Sequence, residues 1–428
     1  MGLKKVDEDT AYALLLVIAV SVAHMWTSGV AYCIGLYYVV FLEVFQHSSG
    51  VTAWVGSLNA AVVCGFGPVS SLLVKKIGVR FTIITGGLMS SLGLLITSFA
   101  TNIYVVFASF GILTGECAGY SFVFTAATLA ILGHFDTNRP LMIAVTSAGV
   151  GINTFCYPLL AQWLCETYEW RGTLMITSAL TLHVVAAGAI IRDKPTDRNQ
   201  IETSPPPRKK VPPPPEQRVW CSVDYWILHL NSILFCFGFS TFFTHLAAFS
   251  ASLNMDRAVS AMLISAHGIS GMVSRLLLGF MATCKGIDVF WLYIVSVVIA
   301  AASNFLMTIW TSLGGLMTCV VLHSVSYASY GPLMNEVSCR IIGKEQLTYG
   351  FGLLMVSLAI GTLLGPPCAG WLYDATGIYA NSFHLSGTAL LAATAVMMSI
   401  TFRRNRHAPL VDQMTVTTVS TAKAAEEV

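Results

Sequence analysis

Charge is what this chain has least of. Its 428 residues carry only 23 Lys and Arg and 21 Asp and Glu, 10% of the total, too few to solvate the surface of a globule this size. The formal net charge of +2 lacks the basic excess that nucleic-acid binding draws on. Catalytic signatures are missing as well: there is no HExxH, no GxSxG, no Walker loop and no paired His/Cys spacing, so metal, nucleophile and ATP chemistry have no constellation and no cofactor is expected. Asn-x-Ser/Thr sequons are absent, and glycosylation is not expected. Ten of the eleven cysteines fall in or beside apolar runs, with Cys165 outside them, which gives no disulfide framework. Polar low-complexity sequence is confined to two short segments, so general disorder is excluded.

What the chain has instead is apolar sequence: 55% hydrophobic residues and a mean hydropathy of +0.71. Runs of roughly 20 residues, enough to cross about 30 Å of hydrocarbon, are marked off by polar interruptions. Twelve such spans are expected, near Ala11 to Phe41, Thr52 to Val74, Phe81 to Ala100, Ile103 to Leu132, Pro140 to Leu164, Gly172 to Ile191, Cys221 to Leu253, Ala258 to Cys284, Val289 to Trp310, Leu313 to Cys339, Leu347 to Tyr373 and Ile378 to Phe402. Positively charged loops stay in the cytosol. With both termini inside, 20 of the 23 Lys and Arg fall on the cytosolic side, Arg171 and Arg257 fall outside, and Arg275 lies within a span. The first run is too long for a cleavable signal peptide and acts as its own insertion signal.

The longest interruption, RDKPTDRNQIETSPPPRKKVPPPPEQR, holds eight of the fifteen prolines and reads as an extended, hydrated linker. The expected organisation is an all-α membrane protein: a cytosolic N-terminus over 1–10, a six-helix bundle over 11–191, a cytosolic linker over 192–220, a second six-helix bundle over 221–402 and a disordered cytosolic tail over 403–428. Two pseudo-symmetric bundles that rock about a central site are the architecture of a secondary transporter.

Several segments resemble a known family. GPVSSLLVKKIGVR is similar to the loop signature between helices 2 and 3 of the major facilitator superfamily, with Gly67, Lys75, Lys76, Gly78 and Arg80 in its glycine and basic positions and its acidic member missing. GPPCAGWLYDATGIY, from Gly365 to Tyr379, resembles the end of helix 11 in the monocarboxylate transporter family, and EWRGTLMITSALTLH, from Glu169 to His183, resembles its helix 6 start. HFDTNRPLMIAVTSAGVG follows that family's helix 5 pattern, with Arg139 left of its basic cluster. The resemblance implies the major facilitator fold, a pore lined by helices 1, 4, 7 and 10, and an immunoglobulin-like single-span escort protein for some members. It also places Lys75, Lys76, Arg80 and Arg139 among gate or conformational groups. Where the family opens helix 1 with Asp-Gly-Gly-Trp-Gly-Trp, this chain keeps only Asp9 and the aromatic Tyr12. Lactate-carrying members have a basic residue where Tyr32 stands and an Asp where Gly271 stands, four residues before the arginine that Arg275 matches.

Arg275 also stands out by its depth in the membrane. It lies 17 residues into its span, about 25 Å at ~1.5 Å per residue. The exit near Lys285 is about 15 Å away by the same rise, beyond the reach of a snorkelling guanidinium. An arginine at that depth costs at least ~2.5 kcal/mol unless it faces water or a partner, and its planar fork suits a carboxylate; a structural ion pair is the alternative. Glu116 lies mid-span among Gly111, Gly115 and Gly119, where it is either a proton carrier or a protonated packing residue. Of the histidines in expected spans, His24, His229, His245 and His323 fall on helices that the resemblance assigns to the pore, and Tyr32 joins them as a candidate lining residue. Packing of neutral imidazoles is the competing explanation. Glu336 and Arg340 are spaced for an i,i+4 salt bridge, with an inner gate as a further role. The expected function is a secondary transporter of a monocarboxylate or related small organic solute in the plasma membrane, with protons and membrane lipids as further partners and no nucleic acid. An uncoupled facilitator of a zwitterionic or amide-like metabolite, such as an aromatic amino acid or a creatine-like solute, and a non-transporting sensor are the alternatives.

Overall fold

The computed structural model describes residues 2–114, 119–134, 139–192, 222–282, 284, 286–342 and 347–426. Every regular element among them is a helix, as hydrocarbon requires when each backbone N–H and C=O must be satisfied within its own segment. Span 1 is α1 (Gly2–Tyr32) and α2 (Ile34–Phe45), and span 2 is α3 (Ser49–Gly65) and α4 (Gly67–Ile77), followed by α5 (Val79–Ser98) as span 3. Span 4 comprises α6 (Ile103–Val106), a π-helix (Phe107–Thr114) and α7 (Ser121–His134). Spans 5 and 6 are α8 (Arg139–Thr181), bent at Glu169 where φ is 58°, and α9 (His183–Ile190). The second half follows as α10 (Val223–Ser252), α11 (Arg257–Met281), α12 (Val289–Ile309), α13 (Leu313–Ile342), α14 (Leu347–Thr376) and α15 (Tyr379–Glu426). Helices thus occupy each expected interval. Among the described residues, seven helical stretches are long and apolar enough to cross a membrane, and shorter apolar helices lie within spans 1 and 4.

The first and last helices extend past the apolar runs: α1 begins at Gly2 and α15 continues beyond Phe402 to Glu426. Nucleation is the costly step of helix formation and each further residue adds a hydrogen bond, so a nucleated span can extend beyond its apolar stretch.

The outer surface is apolar and the interior is partly polar. Leu14, Phe81, Phe280, Ile309 and Phe402 are exposed, whereas His24, Asn59, Asn153, His245, His267, Asn304 and His323 are buried. Lipid tails are as apolar as leucine, so polar groups find partners only between helices.

Buried apolar side chains are divided in a way that defines the conformation. Near the end of the bundle where residues 192 and 222 lie, called the linker end below, one core contains only first-half residues such as Leu16, Val20, Ile83, Val123 and Val184. A second contains only second-half residues such as Tyr225, Leu228, Phe290, Val297 and Leu333. Toward the opposite, far end a single core combines both halves, with Ile34, Tyr37, Phe41 and Phe110 packed among Phe242, Leu246, Ile264 and Phe383. Among the described residues, therefore, the halves merge at the far end and keep separate cores at the linker end.

Candidate solute site and far-end closure

Arg275 faces the boundary between the halves. Helical spacing puts it on the face of Gly268, Gly271 and Met272, and that face meets span 5: a side chain on Gly268 would run into Thr154, and Met272 packs over Gly151. Val273, Leu276 and Phe280, by contrast, are exposed on the outer side of the helix. Arg275 itself is half-buried, with Nε withdrawn from solvent. Its face continues through Gly271 to His267, four residues at a time.

Above Arg275, His267 and His323 join spans 8 and 10. The Nε2 of His267 is 3.3 Å from Nδ1 of His323, so one imidazole donates and the other accepts, and neither ring has any exposed surface. His323 stacks on Phe242 with ring centroids 3.6 Å apart. His267 meets Phe243 edge-on at 4.6 Å. Phe243 in turn contacts Tyr32 of the first half at 5.7 Å, and Gly35, one turn on, approaches the Phe243 carbonyl so closely that a Cβ would lie 2.6 Å from it. Tyr32 and His323 are thus linked across the two halves through Phe243 and His267, and Arg275 lies eight residues, about 12 Å, farther toward the linker end. His267 was not among the residues expected at the site. Its spacing from Arg275 is the signal in the sequence that could have found it.

Other expected site residues lie elsewhere. His24 is packed within the first half, against Phe124 at 4.7 Å and the backbone of Thr146. His229 is packed within the second, where Nδ1 is 2.5 Å from the Ser357 hydroxyl and the ring meets Tyr225 at 4.4 Å. His245 Nε2 is 2.9 Å from the Pro366 carbonyl. Glu116 lies outside the described residues, as does the side chain of Arg139. Lys75, Lys76 and Arg80 are exposed at the linker end, around Gly78 with its φ of 88°. Arg340 is 2.9 Å from Glu336 and 3.7 Å from Asp288, two ion pairs within the second half.

The far end holds a closure that the sequence did not announce. Asp374 accepts hydrogen bonds from the backbone N–H groups of Ser49 at 2.8 Å and Gly50 at 2.9 Å, capping span 2 from the opposite half. An aspartate in the last turn of its own helix is misplaced against that helix's dipole; the start of another helix is where its charge is favourable. Gly370, one turn earlier, lies so close to Gly50 that a Cβ would be 2.7 Å from its Cα. Trp371 meets Trp54 at 6.4 Å. Gly370, Trp371 and Asp374 of the GPPCAGWLYDATGIY segment therefore form one contact surface. Arg257 and Glu43 make a second bridge between the halves at this end.

Comparison with known proteins identifies the family. The Major Facilitator Superfamily profile matches residues 14–291 and 287–420. Monocarboxylate transporter 13 of Rattus norvegicus is 28% identical over 399 residues, covering 92% of this chain and 90% of that protein. Monocarboxylate transporter 6 of Homo sapiens is 28% identical over 415 residues, covering 91% and 80%. Monocarboxylate transporter 12 of Rattus norvegicus is 24% identical over 416 residues, covering 91% and 85%. Among solved structures, the peptide transporter POT in complex with sulfate superposes with a TM-score of 0.73 at 12% identity, covering 92% of this chain and 95% of that one. A bacterial homolog of the human lysosomal transporter Spinster, inward-facing and occupied, gives 0.68 at 15% identity, covering 92% and 96%. The chain belongs to the major facilitator superfamily: it is a multi-pass, non-enzymatic membrane solute transporter whose relatives, across nearly its full length, are monocarboxylate transporters.

Proposed function

We propose that this protein is a secondary transporter of the plasma membrane that moves a monocarboxylate or a related small organic solute by alternating access, with both termini in the cytosol. Arg275 carries the reading: it is a planar cationic fork within an apolar span, turned to the boundary of the two halves, where it suits a carboxylate. The shared far-end core and the separate linker-end cores support a conformation closed outside and open to the cytosol. A zwitterion would place its carboxylate on the same arginine and its ammonium against aromatic faces such as Tyr32 and Phe243. The solute gradient drives net flux, because Tyr32 and Gly271 replace the groups associated with proton-coupled lactate movement.

Arg275→Lys tests the assignment, since lysine keeps the charge and loses the bidentate fork. Losing one charge-assisted hydrogen bond of about 1.5–3 kcal/mol should lower carboxylate uptake by at least roughly ten-fold, at near-normal surface level. Wild-type uptake in Arg275→Lys contradicts the role. Competition among pyruvate, lactate, aromatic amino acids and creatine at two pH values separates the acid from the zwitterion.

A further inference from the structure

Neither Arg257 nor Glu43 is placed for the benefit of its own helix. Arg257 is the first residue of α11, where the helix dipole disfavours a cation, and Glu43 is in the last turn of α2, where it disfavours an anion. Each is compensated by the other across the halves. The pair stands in a far-end cleft between spans 1, 5, 7 and 8, lined also by Tyr37, Gln162, Cys165 and Ser260. Both side chains are about half exposed, 50% and 54%, and an ion pair that wet is held weakly. A carboxylate from solution can compete with Glu43 for such a guanidinium.

Arg257 is also in register with Arg275. The two are eighteen residues apart, about 27 Å and five whole turns at 3.6 residues per turn, so they share one face of span 8. Between them that face runs against Thr154 and Gly151 of span 5, along the boundary that must open when the halves part at the far end.

We propose that Arg257 is a second carboxylate-binding station, at the far mouth of the transport path. In the conformation described here Glu43 occupies its guanidinium and helps to hold the far end shut. When the halves separate there, the freed guanidinium captures the carboxylate of an incoming solute, which then passes along span 8 to Arg275. This rests on the carboxylate-transport reading, and it adds the group with which the solute competes on entry.

Opposite charge changes at the two positions distinguish capture from a simple latch. The assay is initial uptake from the far side, in cells, of radiolabelled pyruvate, lactate, phenylalanine and creatine, with KM compared because it is independent of the amount of protein at the surface. Arg257→Gln removes the station and should raise KM for the transported solute roughly five- to ten-fold. Glu43→Gln frees the guanidinium and should lower KM by a few-fold. Arg257→Lys, which keeps the charge but not the fork, should fall between wild type and Arg257→Gln. If the pair only latches the far end, Arg257→Gln and Glu43→Gln break it equally and shift KM in the same direction, which overturns the proposal. An unchanged KM in both overturns it too, and either result leaves the transport reading intact. If Arg257→Gln does not reach the surface, a raised KM in Glu43→Gln is sufficient to reject capture. Wild-type protein that takes up none of the four solutes removes the carboxylate reading and this station with it.

Discussion

A guanidinium midway along an apolar helix is stable only beside water or a partner, which is why Arg275 stands out before any fold is known. The structure adds the setting of its helix, on which Gly268 and Met272, at helical spacing from Arg275, pack against span 5. It also adds His267, whose partner His323 is 56 residues away on another helix; no spacing rule joins positions on helices whose rotations are set by packing. Proton coupling is decided at this scale. Tyr32 and Gly271 leave no acid–base pair of the lactate-carrier kind, so an acid-outside gradient is expected to give no accumulation of solute above equilibrium in proteoliposomes. The competing group is Glu116, since an intramembrane carboxylate would be able to bind and release a proton. Accumulation that appears with the gradient in wild type and disappears in Glu116→Gln would assign coupling to Glu116 and contradict the uncoupled account.

The helical elements were legible because apolar runs bounded by charge have a required length in a bilayer. Their interruptions were not. Span 1 breaks at Cys33, span 2 at Phe66, span 6 at Leu182, and span 4 carries a π-segment from Phe107 to Thr114, a type of distortion that recurs at functional sites. Equally hidden was the reason for the helix 11 segment: its Asp374 caps a helix start 325 residues earlier in the chain, and only folding brings the two together. Removing that cap with Asp374→Ala should weaken far-end closure by about 1 kcal/mol, a roughly five-fold shift in the balance of open and closed forms. Cys165, half-buried in the far-end cleft, reports the shift: an impermeant maleimide should label it several times faster in Asp374→Ala, and the gain should vanish with Cys165→Ser. Unchanged labelling would mean that the cap does not hold the closure.

For the molecule as a whole, the linker at 192–220 and the six spans on either side of it pointed to two bundles, and the family resemblance named the fold. The conformation was not legible, because it depends on which buried side chains meet: one core shared by both halves at the far end, and one core for each half at the linker end. On the proposed reading, rocking between that arrangement and its converse moves a solute without chemistry. A sensor with the same fold would bind a solute and carry none across. Counterflow is the direct test. Proteoliposomes loaded with unlabelled pyruvate, lactate, phenylalanine or creatine are diluted into a trace of the same solute in radiolabelled form, with no pH gradient or membrane potential. A transporter working by alternating access should give a transient overshoot of label inside the vesicles for at least one of these solutes, strongly reduced in Arg275→Lys. Label that never rises above its level in protein-free vesicles, for any of the four, would contradict transport of this solute class.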